Sequence, residues 1–189
     1  MFHLINNFGY TGIFLTIFGE VALMLFPLPG DTLLFSSGIL SDTGSFNYFY
    51  LLFGSIITSA IAGHVGYYIG SKISREKLTN NKYYRVKVSQ IEKTEKFFEK
   101  YGVWAIVFSR YVPGVRSFIS QILGVINYSQ KKFFIYNLIA SVIWPLVIIT
   151  AGKIFGKFFP NLVSYAEYVI VFLLLLVFVP ILRGLKKDN

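Results

Sequence analysis

Four ionisable side chains, Glu20, Asp31, Arg110 and Arg116, stand inside otherwise apolar stretches of this 189-residue sequence. A charge at the centre of a bilayer costs about 2.5–3.5 kcal/mol on insertion scales, so four persist only where they are paired or used. Their signs are complementary, two carboxylates in the first half of the chain and two guanidiniums in the second. A structural reading makes them two buried salt bridges that lock their segments together. A chemical reading starts from their position, at or near a break in an apolar run: Phe26-Pro27-Leu28-Pro29-Gly30-Asp31 or Tyr111-Val112-Pro113-Gly114-Val115-Arg116. Broken helices turn backbone N–H groups toward anions, and arginine offers a planar fork that grips phosphate through two hydrogen bonds. Arg110 and Arg116, flanking Pro113-Gly114, are therefore candidates to hold a phosphate headgroup. Glu20 and Asp31, kept from water, are candidates to take up and release protons. Protonation of the acids would free the arginines for phosphate and deprotonation would recapture them, which couples proton movement to substrate movement.

Around these four, Pro29, Gly30, Pro113, Gly114, Ser117 and Gln121 are candidates to line the pocket. His64 has two readings, a neutral packing residue on a small-residue face with Ala60 and Gly63, or a proton relay. The chain has no Cys, which removes thiolate nucleophiles and Cys metal sites. A lipid phosphatase would need a His nucleophile or a metal cluster, and the only histidines, His3 and His64, are far from the arginines in sequence. No enzyme activity, metal or cofactor is expected.

The elements that must position these residues are membrane helices. Hydrophobic residues make up 54% of the chain and charged residues 14%, where a soluble domain carries about 25% charge. Phe46–Gly70, Phe133–Ala151 and Leu162–Leu182 are apolar runs of 19 to 25 residues, long enough to cross a hydrocarbon core of about 30 Å. The first residues lack a basic n-region and their apolar stretch runs past Glu20, so no cleavable signal peptide is expected. Residues 8–40 and 101–128 are apolar but broken by proline and glycine, leaving legs too short for a full crossing. Non-helical backbone survives at membrane depth only when buried in protein or lining a wet cavity, so both read as re-entrant hairpins facing a shared site. The halves repeat weakly: Phe8-Gly9 matches Tyr101-Gly102, Gly38 matches Gly124, and each unit ends in a glycine-bearing helix. The expected fold is an all-α integral membrane protein forming a single membrane domain over 1–189. Its two inverted repeats, 8–70 and 101–157, are each a re-entrant hairpin followed by a transmembrane helix (46–70 and 133–151). A basic amphipathic loop over 71–100 joins them, and a C-terminal transmembrane helix over 162–182 follows.

Charge placement orients this plan. Residues 1–71 carry no Lys or Arg and a net charge of −3, residues 72–100 carry +5 and residues 101–189 carry +7, which together give the overall +9. The basic residues gather at the ends of apolar runs, the pattern of cytoplasmic loops rather than of a nucleic-acid surface. With the 72–100 loop inside, 14 basic residues lie inside, Lys153 and Lys157 lie outside, and Arg110 and Arg116 lie within the membrane. The N-terminus is then out and the C-terminus in. Ile91, Glu92, Glu95, Phe98 and Glu99 alternate faces at helical spacing, so the loop holds an amphipathic helix near the headgroups.

Phe108-Ser109-Arg110-Tyr111-Val112-Pro113-Gly114-Val115-Arg116-Ser117 resembles the signature of the DedA family of SNARE-associated or VTT-domain membrane proteins. Glu20 with Phe26-Pro27-Leu28-Pro29-Gly30-Asp31 resembles that family's first re-entrant loop, and Gly66-Tyr67-Tyr68-Ile69-Gly70 its glycine-tyrosine helix end. The resemblance covers residues 8–157. It implies lipid translocation between leaflets of a bacterial plasma membrane, with undecaprenyl phosphate ahead of phosphatidylethanolamine as substrate and with proton coupling. The alternatives are an uncoupled lipid scramblase or a non-transporting membrane scaffold. The partners are the substrate lipid and the bilayer, without nucleic acid; the resemblance fixes no homo-oligomer. The family's essential acids and arginines carry over to Glu20, Asp31, Arg110 and Arg116. The family's acid before the glycine-tyrosine pair is missing here, where Gly63-His64-Val65-Gly66 stands.

Overall fold

A computed structural model of the chain describes residues 2–25, 28–73, 88–112, 115–159 and 172, and every regular element among them is helical. In order, α1 is Phe2–Ala22, α2 is Gly30–Leu40, α3 is Tyr48–Lys72 and α4 is Val88–Tyr101. A 3-10 turn (Gly102–Trp104), the one-turn α5 (Ala105–Phe108) and a second 3-10 turn (Ser109–Tyr111) follow, then α6 (Ile119–Val125) and α7 (Gln130–Phe158). The sequence expectation of helix, break and helix over 8–40 corresponds to α1 and α2. The stretch 101–128 is more fragmented than two legs: Gly102 has φ +56, and two 3-10 turns flank α5 before the break. Apart from Phe172, the expected C-terminal helix over 162–182 lies outside the described residues, as do the loop over 74–87, Phe26-Pro27 and Pro113-Gly114.

Both α3 (25 residues) and α7 (29 residues) are long and apolar enough to cross a membrane. Their outward surfaces have the matching character. Phe49, Phe53, Ile57 and Ile61 recur every four residues along α3 and are each more than half exposed. Leu138, Val142 and Leu146 repeat that spacing on α7. A stripe of this kind facing water would be an aggregation liability, whereas lipid tails accept it. α4 is built differently: Ile91 and Thr94 are buried while Glu92, Lys93, Lys96 and Lys100 are exposed, the amphipathic pattern read from its spacing.

The chain divides into two compact units, residues 1–16, 28–55 and 145–189, and residues 17–27 and 56–144. In the first, α2 packs on the C-terminal part of α7 through glycines. A Cβ on Gly38 would collide with the Ile149 carbonyl, and one on Gly152 with the Phe35 carbonyl. Tyr48 bonds Thr150 hydroxyl to hydroxyl at 2.7 Å, and Tyr10 meets Phe46 and Tyr50 edge to face. In the second, α6 packs on the C-terminal part of α3 in the same manner. A Cβ on Gly70 would strike the Gln121 backbone and one on Gly124 the Tyr67 carbonyl. Tyr67 stacks on Phe133 at 4.7 Å and its hydroxyl donates to the Tyr128 carbonyl. Ile106, Val115, Ile119 and Leu123 complete that core.

Candidate functional site

The second unit gathers three of the four membrane charges. Glu20 lies in the last turn of α1 and is 1% exposed. The helix closes tightly behind it: the Leu25 N–H reaches back to the Gly19 carbonyl at 3.2 Å around Met24, whose φ is +55. A left-handed residue without the freedom of glycine is disfavoured, so packing must hold this turn. The final carbonyls of α1, Val21 and Ala22, accept hydrogen bonds from Gln121 Nε2 at 2.9 and 3.0 Å. Gln121 is fully buried, and its amide supplies the end of α1 with donors that the helix itself lacks. The candidate lining residue therefore caps a helix.

Arg116 follows the break, in the turn leading to α6, and is 7% exposed. Its Nε donates to Glu20 Oε1 at 2.8 Å and its Nη2 donates to the same oxygen. The guanidinium carbon lies 5.9 Å from the Trp144 ring centre, within cation–π range. One of the expected acid–arginine pairs thus forms.

Arg110 is held in another way. It sits in the 3-10 turn before the break and is 3% exposed. Its Nη2 donates to Asn137 Oδ1 at 2.8 Å and approaches Ser141 Oγ at 3.5 Å. Its Nη1 is buried with no hydrogen-bond partner among the described residues. Asn137 in turn donates from Nδ2 to the Ala60 carbonyl at 3.0 Å and fills the space that a Cβ on Gly63 would take. Glu20 and Arg116 are both close enough to act electrostatically on Arg110. Among these three side chains, positive charge exceeds negative by one.

Asn137 and Ser141 were not among the residues singled out from sequence. Their signal was two polar side chains four residues apart in an apolar span, with Trp144 three further on, which places all three on one helical face.

Asp31 belongs to the first unit, in the first turn of α2, half-buried where the helix dipole favours a carboxylate. Pro29 and the buried Gly30 precede it in that unit. Ser117 is fully buried beside Arg116 in sequence, and its hydroxyl has no hydrogen-bond partner among the described residues. His64 packs edge-on to Phe134 at 4.8 Å and near Phe133 at 6.1 Å. Among the described residues, no three of His, Cys, Asp and Glu stand together as metal ligands.

Residues 28–154 match the VTT domain, a stretch that takes in Asp31, Arg110, Arg116 and Asn137 and begins after Glu20. Protein DedA of Escherichia coli K12 is 35% identical over 151 residues, covering 78% of this chain and 68% of that protein. Undecaprenyl phosphate transporter A of Staphylococcus aureus is 28% identical over 192 residues, covering 97% of this chain and 94% of the relative. An alkaline phosphatase-like protein of Lactococcus lactis subsp. lactis is also 28% identical over 192 residues, covering 96% and 89%. No solved structure matches the chain significantly.

Proposed function

Because the chain belongs to the VTT-domain family of membrane proteins, we propose that it carries a phosphate-bearing lipid between membrane leaflets, with undecaprenyl phosphate as the leading substrate. One observation carries this reading: Arg110 is buried against uncharged partners, with one nitrogen unfilled among the described residues, beside a Glu20–Arg116 pair. A buried guanidinium that is not neutralised by the pair beside it is an anion site. The relative named as an undecaprenyl phosphate transporter, matched over nearly its whole length, supports the same headgroup chemistry.

The proposed cycle uses the pair as a proton-dependent latch. Ionised Glu20 holds Arg116; a proton on Glu20 weakens that hold and offers Arg116 to the phosphate alongside Arg110, and loss of the proton reverses it. In this reading 8–40 and 101–128 are re-entrant hairpins of two inverted repeats. The protein is a plasma-membrane transporter, with no chemical step on its substrate, the N-terminus out and the C-terminus in. The glycine-locked packing of α2 on α7 in one unit and of α6 on α3 in the other supports the repeat, since each second hairpin leg meets the helix of the other half.

The test is leaflet exchange in proteoliposomes holding labelled undecaprenyl phosphate or labelled phosphatidylethanolamine, with and without a pH gradient. Acceleration of the polyprenyl phosphate that grows with the gradient is expected. Faster exchange of phosphatidylethanolamine alone would transfer the substrate assignment to that lipid, and gradient-independent exchange would make the protein a scramblase. Acceleration of neither lipid would remove the transport reading.

A further inference from the structure

We propose that Asn137 and Ser141 set the anion selectivity of the site, by holding Arg110 through uncharged oxygen atoms so that its positive charge stays available to a substrate. The proposal rests on the reading of Arg110 as a phosphate-binding group and adds the residues that make it one. Both guanidiniums are buried in the same unit, yet their partners differ in kind. Arg116 gives two donors to a carboxylate, which cancels its charge. Arg110 gives one nitrogen to an amide oxygen at 2.8 Å and, at the limit of hydrogen bonding, a hydroxyl at 3.5 Å. Neutral acceptors orient a guanidinium without neutralising it. An ion pair in the same place would be the ordinary way to bury an arginine. Its absence here leaves Nη1 buried and without a hydrogen-bond partner among the described residues.

The support behind Asn137 is specific. The amide has one orientation that serves both neighbours, with Oδ1 toward Arg110 and Nδ2 toward the Ala60 carbonyl. It occupies the volume that any side chain at Gly63 would claim. Gly63 therefore acts through Asn137, and Asn137 and Ser141 act through Arg110: these are positioning residues, and the anion is met by the arginine. Charge at positions 137 and 141 becomes the selectivity variable. A carboxylate at either would pair with Arg110 and close the site to anions while keeping the fold supplied with a buried ion pair.

Binding is read through Trp144, which lies 5.9 Å from the Arg116 guanidinium and is 2% exposed. Replacing the half-exposed Trp104 by Phe leaves Trp144 as the single reporter, since the chain has two tryptophans. The full chain in neutral detergent is titrated with n-decyl phosphate and, separately, with n-decanol, in the parent and in Ser141→Ala, Ser141→Asp and Asn137→Asp. Thermal melting confirms that each variant is folded. The parent and Ser141→Ala should bind decyl phosphate with affinities within about threefold of each other. Ser141→Asp should bind it at least about tenfold more weakly, with decanol unaffected. Asn137→Asp should follow Ser141→Asp, but it also loses the donor to Ala60, so the Ser141 pair decides if that variant does not fold. Folded Ser141→Asp that binds decyl phosphate as tightly as Ser141→Ala overturns the proposal and leaves the phosphate reading standing. A parent that fails to prefer decyl phosphate to decanol overturns the phosphate reading itself, and the proposal with it.

Discussion

Arg116 places Nε and Nη2 on a single carboxylate oxygen of Glu20, so the pair depends on the fork of the guanidinium and on its charge together. Glu20→Gln keeps the shape and removes the negative charge that faces the buried arginine. A loss of about 3–5 kcal/mol is expected for breaking one side of such a pair. It should appear as a lowered melting temperature of the purified protein, and Glu20→Gln combined with Arg116→Gln should recover part of it. If the latch is proton-driven, Glu20→Gln proteoliposomes that retain exchange should also lose their response to a pH gradient. Arg116→Lys keeps the charge but offers a point donor in place of two fixed ones, at a cost of about 1–3 kcal/mol. Its exchange rate should nevertheless fall at least about tenfold, a larger loss than the stability change accounts for; an unchanged rate would reduce the arginine to a scaffold role. The four charges were legible in the sequence because a membrane segment makes every ionisable residue conspicuous. Asn137 and Ser141 were not, because neutral polar side chains are tolerated in spans and their importance lies in whom they touch. Gln121 was legible as a site neighbour but not as a cap, since the carbonyls it serves are about a hundred residues away in sequence.

At the scale of elements, glycine decides how closely helices approach. In the second unit, α6 lies so near α3 that side-chain atoms at Gly70 or Gly124 would overlap backbone. The same α6 carries Gln121 to the end of α1, so separating the two helices would also uncap α1 behind Glu20. Gly124→Ala should therefore destabilise by more than the roughly 1–3 kcal/mol of ordinary overpacking, and reduce the folded yield from membranes. Gly156→Ala is the graded comparison in the first unit, because its nearest neighbours would stand at 3.2–3.3 Å and need only a small shift. A smaller loss is expected there; equal losses would mean that contact distance does not govern the packing. The long helices were readable from run length, with α3 within two residues of the expected span and α7 extending further at both ends. The polar and basic residues Gln130, Lys131 and Lys132 begin α7, and hydropathy ends a span where a helix need not end. The stretch before the second break could not be resolved from sequence into 3-10 turns and α5, because its side chains show no change of period there.

At the scale of the whole molecule, the orientation of the two hairpins sets which loops share a side of the membrane. Two sets of contacts bear on it, one in each unit. In the first, Lys157 at the end of α7 approaches Asp42, just beyond α2, at 4.0 Å. In the second, Tyr128 receives the Tyr67 hydroxyl near the end of α3 and meets Phe98 of α4 edge to face at 5.2 Å. The first pairing suits a hairpin over 8–40 that returns outside, where α7 would also emerge. The second suits a hairpin over 101–128 that returns inside, beside the basic loop. A segment that crossed instead would send Lys131 to the side opposite Lys96. The absence of Cys from the chain makes this directly measurable. Single cysteines replacing Thr43, Lys96, Lys131 and Lys157, all exposed, can be probed in right-side-out and inverted vesicles with a membrane-impermeant thiol reagent. Thr43→Cys and Lys157→Cys should label from outside, and Lys96→Cys and Lys131→Cys only from inside. Labelling of Lys96→Cys and Lys131→Cys from opposite faces would make 101–128 a crossing segment. Arg110 and Arg116 would then sit on a spanning path, and the inverted repeat would lose its second hairpin.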